Sequence, residues 1–137
     1  MLKTFTILKP DTVKTGNAGA IISRLQKEGF RLRALKMVHL TEQQAQGFYY
    51  VHKDRPFFKD LVKFMTEGPI IPMVLEAENA IEKLRKVMGA TDPAKADAGT
   101  IRKEFGTNIE RNAIHGSDGL DTAAYEISYF FSQLELN

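Results

Sequence analysis

The stretch of sequence with the clearest chemical content is Asn112–Asp118, which reads Asn-Ala-Ile-His-Gly-Ser-Asp. An imidazole near a hydroxyl and a carboxyl has the parts of a nucleophile or general base, and Gly116 beside it permits close approach of a substrate. A lone histidine near a strand end is more often a structural residue. From this segment alone, a structural role for His115 is the first interpretation, and catalysis is the alternative.

Several familiar phosphate-binding signatures are absent from the sequence. It has no GxxxxGK(S/T) loop, no GxGxxG turn after a strand, and no HRD or DFG kinase motif. The histidines His39, His52 and His115 lack the spacing of metal ligands, and the absence of cysteine excludes disulfides, thiolate sites and cysteine nucleophiles. Any phosphate chemistry must therefore depend on scattered side chains. Mg²⁺ carried on a nucleotide stays open as an alternative to a histidine-built metal site, because it needs few protein ligands.

Three segments have the patterns of β-strands, and a short fourth strand is expected near His115. Residues 3–8 alternate around Phe5 and Ile7, and residues 32–40 are rich in aliphatic side chains. Residues 70–75 form a nearly continuous apolar run, which is typical of a strand that lies centrally or is covered on both faces.

Helical patterns fill the intervals between these strands. After a loop over residues 11–19, apolar residues recur at helical spacing until Gly29. Residues 91–114 are irregular apart from a short helix over 101–105, and connections of this length are more often functional than idle. The predicted helix caps are Thr41 with Gln44, Asn79 with Glu82, and Asp121.

This order of elements is a βαββαβ pattern with additions, and it predicts an α+β fold. We expect a ferredoxin-like, four-stranded antiparallel sheet covered by helices. The 137 residues, with 43% hydrophobic and 26% charged side chains, have the composition of a soluble globular protein. The length and the absence of repeats or linkers predict a single domain over residues 1–137.

The charge balance and hydropathy point to no nucleic-acid or membrane partner. The net charge is only +2, and no apolar run approaches the roughly 20 residues of a membrane span. Lys3, Lys9, Asp11 and Lys14 interrupt the N-terminus too early for a signal peptide. A cytoplasmic protein is therefore expected.

Six segments of the chain resemble nucleoside diphosphate kinases in sequence, order and spacing. The resemblance extends along nearly the whole chain, and its most specific part contains His115. The segments are KPDTV at 9–13, GAIISR at 19–24, HKDRPFF at 52–58, RKVMGATDP at 85–93, GTIRKEF at 99–105 and NAIHGSD at 112–118. The resemblance implies an enzyme that transfers the γ-phosphoryl group of a nucleoside triphosphate to a nucleoside diphosphate, with Mg²⁺.

The resemblance also implies which residues carry the reaction. His115 matches the histidine that takes up the phosphoryl group in a ping-pong mechanism, and Glu126 matches its acidic partner. Lys9 and Asn112 match contacts to the ribose hydroxyl and the transferred phosphate, with Lys9 counted among the catalytic residues. The match at Glu126 outweighs the alternative of an exposed position on the last helix.

Further residues match the family's nucleotide contacts. Arg85, Thr91 and Arg102 match phosphate contacts, which suits the planar donor fork of arginine. Phe57 matches the aromatic on which the base stacks, with packing in the core as its alternative.

The remaining matches lie around the same expected site. Arg55 and His52 are expected beside it, and Tyr49 matches a tyrosine near the histidine. Asp118 matches a carboxylate near the bound metal, although capping of the final helix explains it comparably.

Two positions depart from the family pattern, and the resemblance is compatible with two oligomeric states. Thr12 replaces a glycine that is common after KPD, and Pro72 lies within the third predicted strand. Because proline cannot donate to a sheet ladder, Pro72 predicts a bulge or an unpaired side there. A homo-oligomer is implied, either a tetramer or a hexamer.

Two other functions compete with this interpretation. A nucleotide-binding regulatory module would keep the fold without turnover. A nucleic-acid-binding protein would need exposed aromatic side chains on a central strand and a stronger basic charge.

Overall fold

Four strands form one antiparallel sheet in the computed structural model, which describes residues 1–137. They are β1 (Leu2–Leu8), β2 (Arg31–Leu35), β3 (Ile71–Ala77) and β4 (Ile114–Gly116). The strands lie side by side in the order β2-β3-β1-β4, and every neighbouring pair is antiparallel. The predicted ferredoxin-like α+β fold is therefore confirmed.

Seven α-helices accompany the sheet. The helices α2, α5 and α6 bury side chains against one face, and α3 and α4 do so against the other, where α7 also packs. None of them is long and apolar enough to cross a membrane. The helices are α1 (Pro10–Lys14), α2 (Ala18–Lys27), α3 (Glu42–Phe48), α4 (Phe58–Met65), α5 (Ala80–Met88), α6 (Ile101–Phe105) and α7 (Leu120–Phe130).

Both faces of the central strand β3 are buried, because its side chains alternate between two apolar clusters. Met73 joins the cluster that includes α2 and α5, whereas Val74 joins the cluster that includes α3 and α4. This is the burial that the apolar run over residues 70–75 predicts. Phe5 and Ile7 of β1 are also fully buried, so this strand has no exposed aromatic face for nucleic-acid bases.

The second strand is shorter than the predicted range of residues 32–40. The register of β2 against β3 shifts between Leu32 and Ala34, and beyond the strand only an isolated bridge joins Val38 to Ile70. The extra residue of this bulge disrupts the ladder locally, and regular pairing ends two residues later, at Leu35 and Met73. The alternation of aliphatic side chains continues past this point, which is why the sequence predicts too long a strand.

The irregular end of β2 also accommodates Pro72. The carbonyl of Pro72 accepts a hydrogen bond from the Lys36 backbone at 3.2 Å, just beyond the last residue of β2. Because the nitrogen and oxygen of one residue face the same neighbour in an antiparallel ladder, the missing donor of Pro72 also faces this side, where the ladder with β2 has ended at Met73. Pro72 therefore lies just outside the β2 ladder, as expected of a residue that cannot donate to it, whereas the bulge lies opposite Val74 and Leu75.

The predicted helix starts are partly right. Thr41 and Gln44 form the predicted capping box at α3, with hydrogen bonds of 3.1 and 2.9 Å. The prediction at Asn79 is wrong, since this residue has a left-handed backbone and its side chain caps nothing. Asp121 is not a cap either, because α7 begins after Gly119 and Asp121 lies in its first turn.

The predicted loop over residues 11–19 is also partly wrong. Helix α1 occupies residues 11–14 of it and α2 begins at Ala18, with Pro10 at the first position of α1, where proline has no intrahelical bond to lose. The short helix predicted over residues 101–105 is confirmed as α6.

The glycine that ends α5 yields a prediction about stability. Gly89 has φ +89°, and a β-carbon there would lie 2.6 Å from the β-carbon of Thr100. We expect Gly89→Ala to lower the free energy of unfolding by about 2 kcal/mol or more, because it adds backbone strain and a clash. Urea denaturation measures this change.

A second glycine provides the control. Gly19 lies within α2, and a β-carbon there would meet no heavy atom of another element within 4 Å. Gly19→Ala should be neutral or stabilising by up to about 1 kcal/mol. Equal stability of the two variants would contradict this account of Gly89.

Candidate active site

A cavity of about 570 Å³ contains His115 and the residue that follows β1, Lys9. Eleven of the twelve residues proposed from the sequence line it, although they come from distant parts of the chain. Arg55 is the exception and does not line the cavity. The lining residues from the predicted set are Lys9, Tyr49, His52, Phe57, Arg85, Thr91, Arg102, Asn112, His115, Asp118 and Glu126.

His115 is held by β4 and by a carboxylate on α7. It pairs with Ile7 of β1, and the Thr6 hydroxyl donates to its carbonyl oxygen at 2.6 Å. Its Nε2 lies 2.9 Å from Oε1 of Glu126. The hydroxyl of Ser117 donates to the same oxygen at 2.7 Å. Since an ionised carboxylate only accepts, this arrangement assigns the ring proton to Nε2.

The other ring nitrogen of His115, Nδ1, has no hydrogen-bond partner within the protein, and the residue lines the cavity. Phe5, Phe48 and Tyr49 surround the imidazole with centroid distances of 6.2, 5.8 and 6.4 Å. All three contacts present a ring edge to a ring face or the reverse, which fixes the plane of the imidazole. The chemistry open to this arrangement is nucleophilic attack by an oriented, unprotonated Nδ1.

Lys9 is a buried cation directly after β1. Its Nζ donates to Oδ1 of Asn112 at 2.7 Å, and Nδ2 of Asn112 donates to the carbonyl of Thr91 at 3.0 Å. Burial lowers the pKa of Lys9 to about 8, with a further contribution from the nearby Arg102. Near pH 8, part of the Lys9 population is therefore an uncharged amine, and an anionic ligand beside it would restore the full positive charge.

Arg102 is the second buried cation of the cavity. It donates to the carbonyl oxygens of Gly89 and Ile114 at 3.2 and 2.8 Å, and its buried Nε has no partner. Burial, together with the charge of Arg85, lowers the pKa of Arg102 to about 10. The guanidinium is therefore oriented by main-chain groups rather than by a carboxylate.

Arg85 and Asp118 form an exposed ion pair at the cavity, with 2.7 Å between Nη1 and Oδ1. This contact, together with the start of α7 after Gly119, disfavours the alternative in which Asp118 caps that helix. No group of three or more His, Cys, Asp or Glu side chains is arranged to hold a metal. A metal that arrives on phosphates needs few protein ligands, and Asp118 is an exposed carboxylate at the cavity.

The apolar lining differs in exposure from one end of the cavity to the other. Tyr49 is buried, its hydroxyl has no partner, and its pKa is raised by burial and by the charge of Glu126. Phe57 is 48% exposed and Ile109 is 60% exposed. The exposure of Phe57 excludes the alternative of a core role, and His52 packs against its ring at 5.6 Å between centroids.

Two features near His115 differ from the sequence interpretation or extend it. A β-carbon on Gly116 would lie 2.5 Å from Sδ of Met88 and 3.1 Å from Leu84, so the glycine permits α5 to pack against β4, and it also lines the cavity. Ser117 bonds to Glu126, a contact that sequence spacing alone does not indicate. Ile109 also escapes sequence reasoning, because an exposed aliphatic residue in a loop has no distinguishing pattern.

Comparisons with known proteins agree with one family. The family model described as "Nucleoside diphosphate kinase" matches residues 2–136. A nucleoside diphosphate kinase of Geobacter sulfurreducens is 57% identical over 136 residues, with 99% of each chain covered. One of Anaeromyxobacter sp. is 56% identical and covers 98% of this chain and 92% of its own.

Solved structures give the same result. The nucleoside diphosphate kinase of Aquifex aeolicus superposes with a TM-score of 0.97 at 46% identity, covering 98% of each chain. A halophilic nucleoside diphosphate kinase from Halobacterium salinarum, in complex with CDP, has a TM-score of 0.95 at 40% identity, with 99% of this chain and 91% of that chain covered. Sequence, fold and cavity lead to one conclusion, that this chain belongs to the nucleoside diphosphate kinase family.

Proposed function

We propose that the chain is an active nucleoside diphosphate kinase that works through a phosphohistidine on His115. The observation that carries the proposal is the hydrogen bond from Nε2 to Glu126, which leaves Nδ1 unpaired in a cavity lined by cations. A nucleophile, its orienting carboxylate and donors for phosphate oxygens are the parts that phosphoryl transfer requires.

In the first half of the reaction, the Nδ1 lone pair of His115 attacks the γ-phosphorus of a nucleoside triphosphate. The Nδ1–P bond forms, the bond from phosphorus to the bridging oxygen breaks, and the nucleoside diphosphate leaves with those electrons. Nε2 keeps its proton, and Glu126 stabilises the positive charge that develops on the ring.

In the second half, a terminal phosphate oxygen of another nucleoside diphosphate attacks the phosphorus. The Nδ1–P bond breaks, its electrons return to the imidazole, and a nucleoside triphosphate leaves. The same side chains serve both halves, because donor and acceptor nucleotides occupy the cavity in turn. This reuse of one site is the structural basis of ping-pong kinetics.

Phosphate recognition in this proposal depends on side chains rather than on a glycine-rich loop. Lys9, Arg85 and Arg102 supply positive charge, and Arg102 has a buried Nε that lacks a protein partner. The hydroxyl of Tyr49 is a further unpaired donor, and Thr91 and Asn112 offer polar groups beside Lys9. Preorganised donors of this kind stabilise the charge of the transferred group.

Base recognition is proposed to be broad. Phe57 and Ile109 are the exposed apolar residues of the lining that suit contact with the flat face of a base. All bases share such a face, so stacking discriminates little between purines and pyrimidines. His52 packs on Phe57 and is proposed to support it, whereas Arg55 has no proposed contact because it lies outside the lining.

Mg²⁺ is proposed to enter on the nucleotide phosphates, with Asp118 as the carboxylate that could face it. The ion would supply charge neutralisation on the phosphates. We also propose that residues 1–137 act as one domain, that the enzyme is cytoplasmic, and that it assembles as a homo-oligomer, either a tetramer or a hexamer. The two core clusters share one sheet, which supports the single domain.

Labelling tests the proposed function directly. Purified protein mixed with γ-labelled ATP and Mg²⁺, without diphosphate, should take up label in an acid-labile, base-stable bond, as phosphohistidine does. GDP or CDP should discharge that label. His115→Ala should remove the label but keep nucleotide binding, because the proposed phosphate and base contacts lie on other residues.

His39→Ala is the matched control for this labelling. His39 is exposed, and its Nε2 lies 2.8 Å from the carbonyl oxygen of Thr66, away from the cavity. This variant should label like the unmodified protein. A folded protein that binds ATP but never takes up label would contradict the proposal and favour a regulatory nucleotide-binding module.

The lowered pKa of Lys9 predicts how nucleotide affinity depends on pH. Because the free protein has a Lys9 pKa of about 8, the ammonium loses its charge as pH rises through that value. ADP affinity should therefore be full below pH 8 and fall above it. Calorimetric titrations between pH 7 and 9.5 measure the trend.

Two lysine variants make the test specific. Lys9→Met should bind ADP about tenfold or more weakly at pH 7 and should lack the decline that begins near pH 8. Lys3→Met removes an exposed lysine from the distant end of β1 and should follow the unmodified protein. An affinity that stays constant across this pH range would contradict a binding role for the Lys9 charge.

A further inference from the structure

The backbone makes a rare turn immediately before the strand that carries His115. Ala113 has φ +75°, and the Ile114 backbone donates to the carbonyl of Asn112 at 2.9 Å. A hydrogen bond that spans a single central residue with positive φ defines a γ-turn of the strained kind. Residues other than glycine adopt this conformation only where the surrounding structure enforces it.

The groups that enforce the turn come from the start of α1. A carboxylate oxygen of Asp11 accepts a hydrogen bond from the Ala113 backbone at 3.1 Å. The Ala113 carbonyl accepts two more, from the Lys9 backbone at 3.0 Å and from the Thr12 hydroxyl at 2.8 Å. The central peptide groups of the turn are thus fixed on both sides.

The turn connects two residues of the proposed site. Asn112 precedes it and holds the Lys9 ammonium at 2.7 Å, whereas His115 follows it in β4. A change in the turn would therefore move the phosphate-binding side and the nucleophile relative to each other. Shifts of about 0.5 Å are enough to impair such a site.

We propose that Thr12 is a positioning residue, whose hydroxyl fixes the γ-turn at Ala113 and thereby the placement of Asn112 and His115. The inference rests on the proposed function for its effect on catalysis. Thr12 is 2% exposed, and its hydroxyl has no other side-chain or main-chain acceptor.

Thr12→Val tests the proposal, because it keeps the shape of the side chain and removes the hydroxyl. In single-turnover reactions with labelled ATP, we expect phosphorylation of His115 to slow by about tenfold, with ADP affinity changed less than twofold. Amide exchange of Ala113 and Ile114 should accelerate, while exchange in the core of β3 stays unchanged. Thr12→Ser should restore the unmodified rates, since it restores the donor.

Thr15→Val is the matched control, since the exposed Thr15 hydroxyl donates to backbone carbonyls within α1 and accepts from the Asn17 side chain, without contact to the turn at Ala113. It should leave phosphorylation and the exchange of Ala113 and Ile114 unchanged. Thr12→Val with unmodified phosphorylation and exchange rates would overturn the inference. Uniformly faster exchange, including β3, would also overturn it, because it would make Thr12 merely a stabilising residue.

The same experiment separates this inference from the proposed function. If the unmodified protein takes up no label, the proposed function fails. Local acceleration of exchange at Ala113 and Ile114 in Thr12→Val would still support the placement role, and unchanged exchange would refute that as well.

Discussion

The pairing of β1 with β4 is the constraint on which the site depends. It spans only three residue pairs, from Thr6 with Gly116 to Leu8 with Ile114. Because β1 is an interior strand with both neighbours paired, this short ladder fixes His115 to the most buried part of the sheet. Lys9 follows at the end of β1, so the same pairing sets the distance between the proposed nucleophile and the cation proposed to bind phosphate.

The electrostatics of the cavity follow from what surrounds these cations. Lys9 and Arg102 are buried and donate to amide and main-chain oxygens, and neither forms an ion pair. Burial lowers the pKa of both side chains, and their neutral acceptors offset this effect less well than a carboxylate would. In the proposed function, an anionic phosphate group would supply the missing counter-charge.

Much of the fold and the site could be predicted from the sequence, because hydrophobic periodicity and local motifs carry that information. The segment around His115 and the apolar run of β3 are of this kind. The cap at Asn79 was mispredicted because a left-handed backbone is a tertiary outcome that side-chain type does not reveal. Helix α5 packs closely against Gly116, which leaves no room for a β-carbon there. The carbonyl that accepts from the Thr12 hydroxyl lies about a hundred residues away, at Ala113. Contacts between such distant segments have no local pattern in a single sequence.

The contact with Glu126 leaves Nδ1 of His115 as the proposed nucleophile. Heteronuclear NMR of the ¹⁵N-histidine-labelled phosphoprotein identifies the ring nitrogen that is bonded to phosphorus. We expect a phosphorus coupling to Nδ1, with Nε2 still protonated. Phosphorus on Nε2 would refute the proposed mechanism, because the nitrogen that contacts Glu126 would then be the one that reacts.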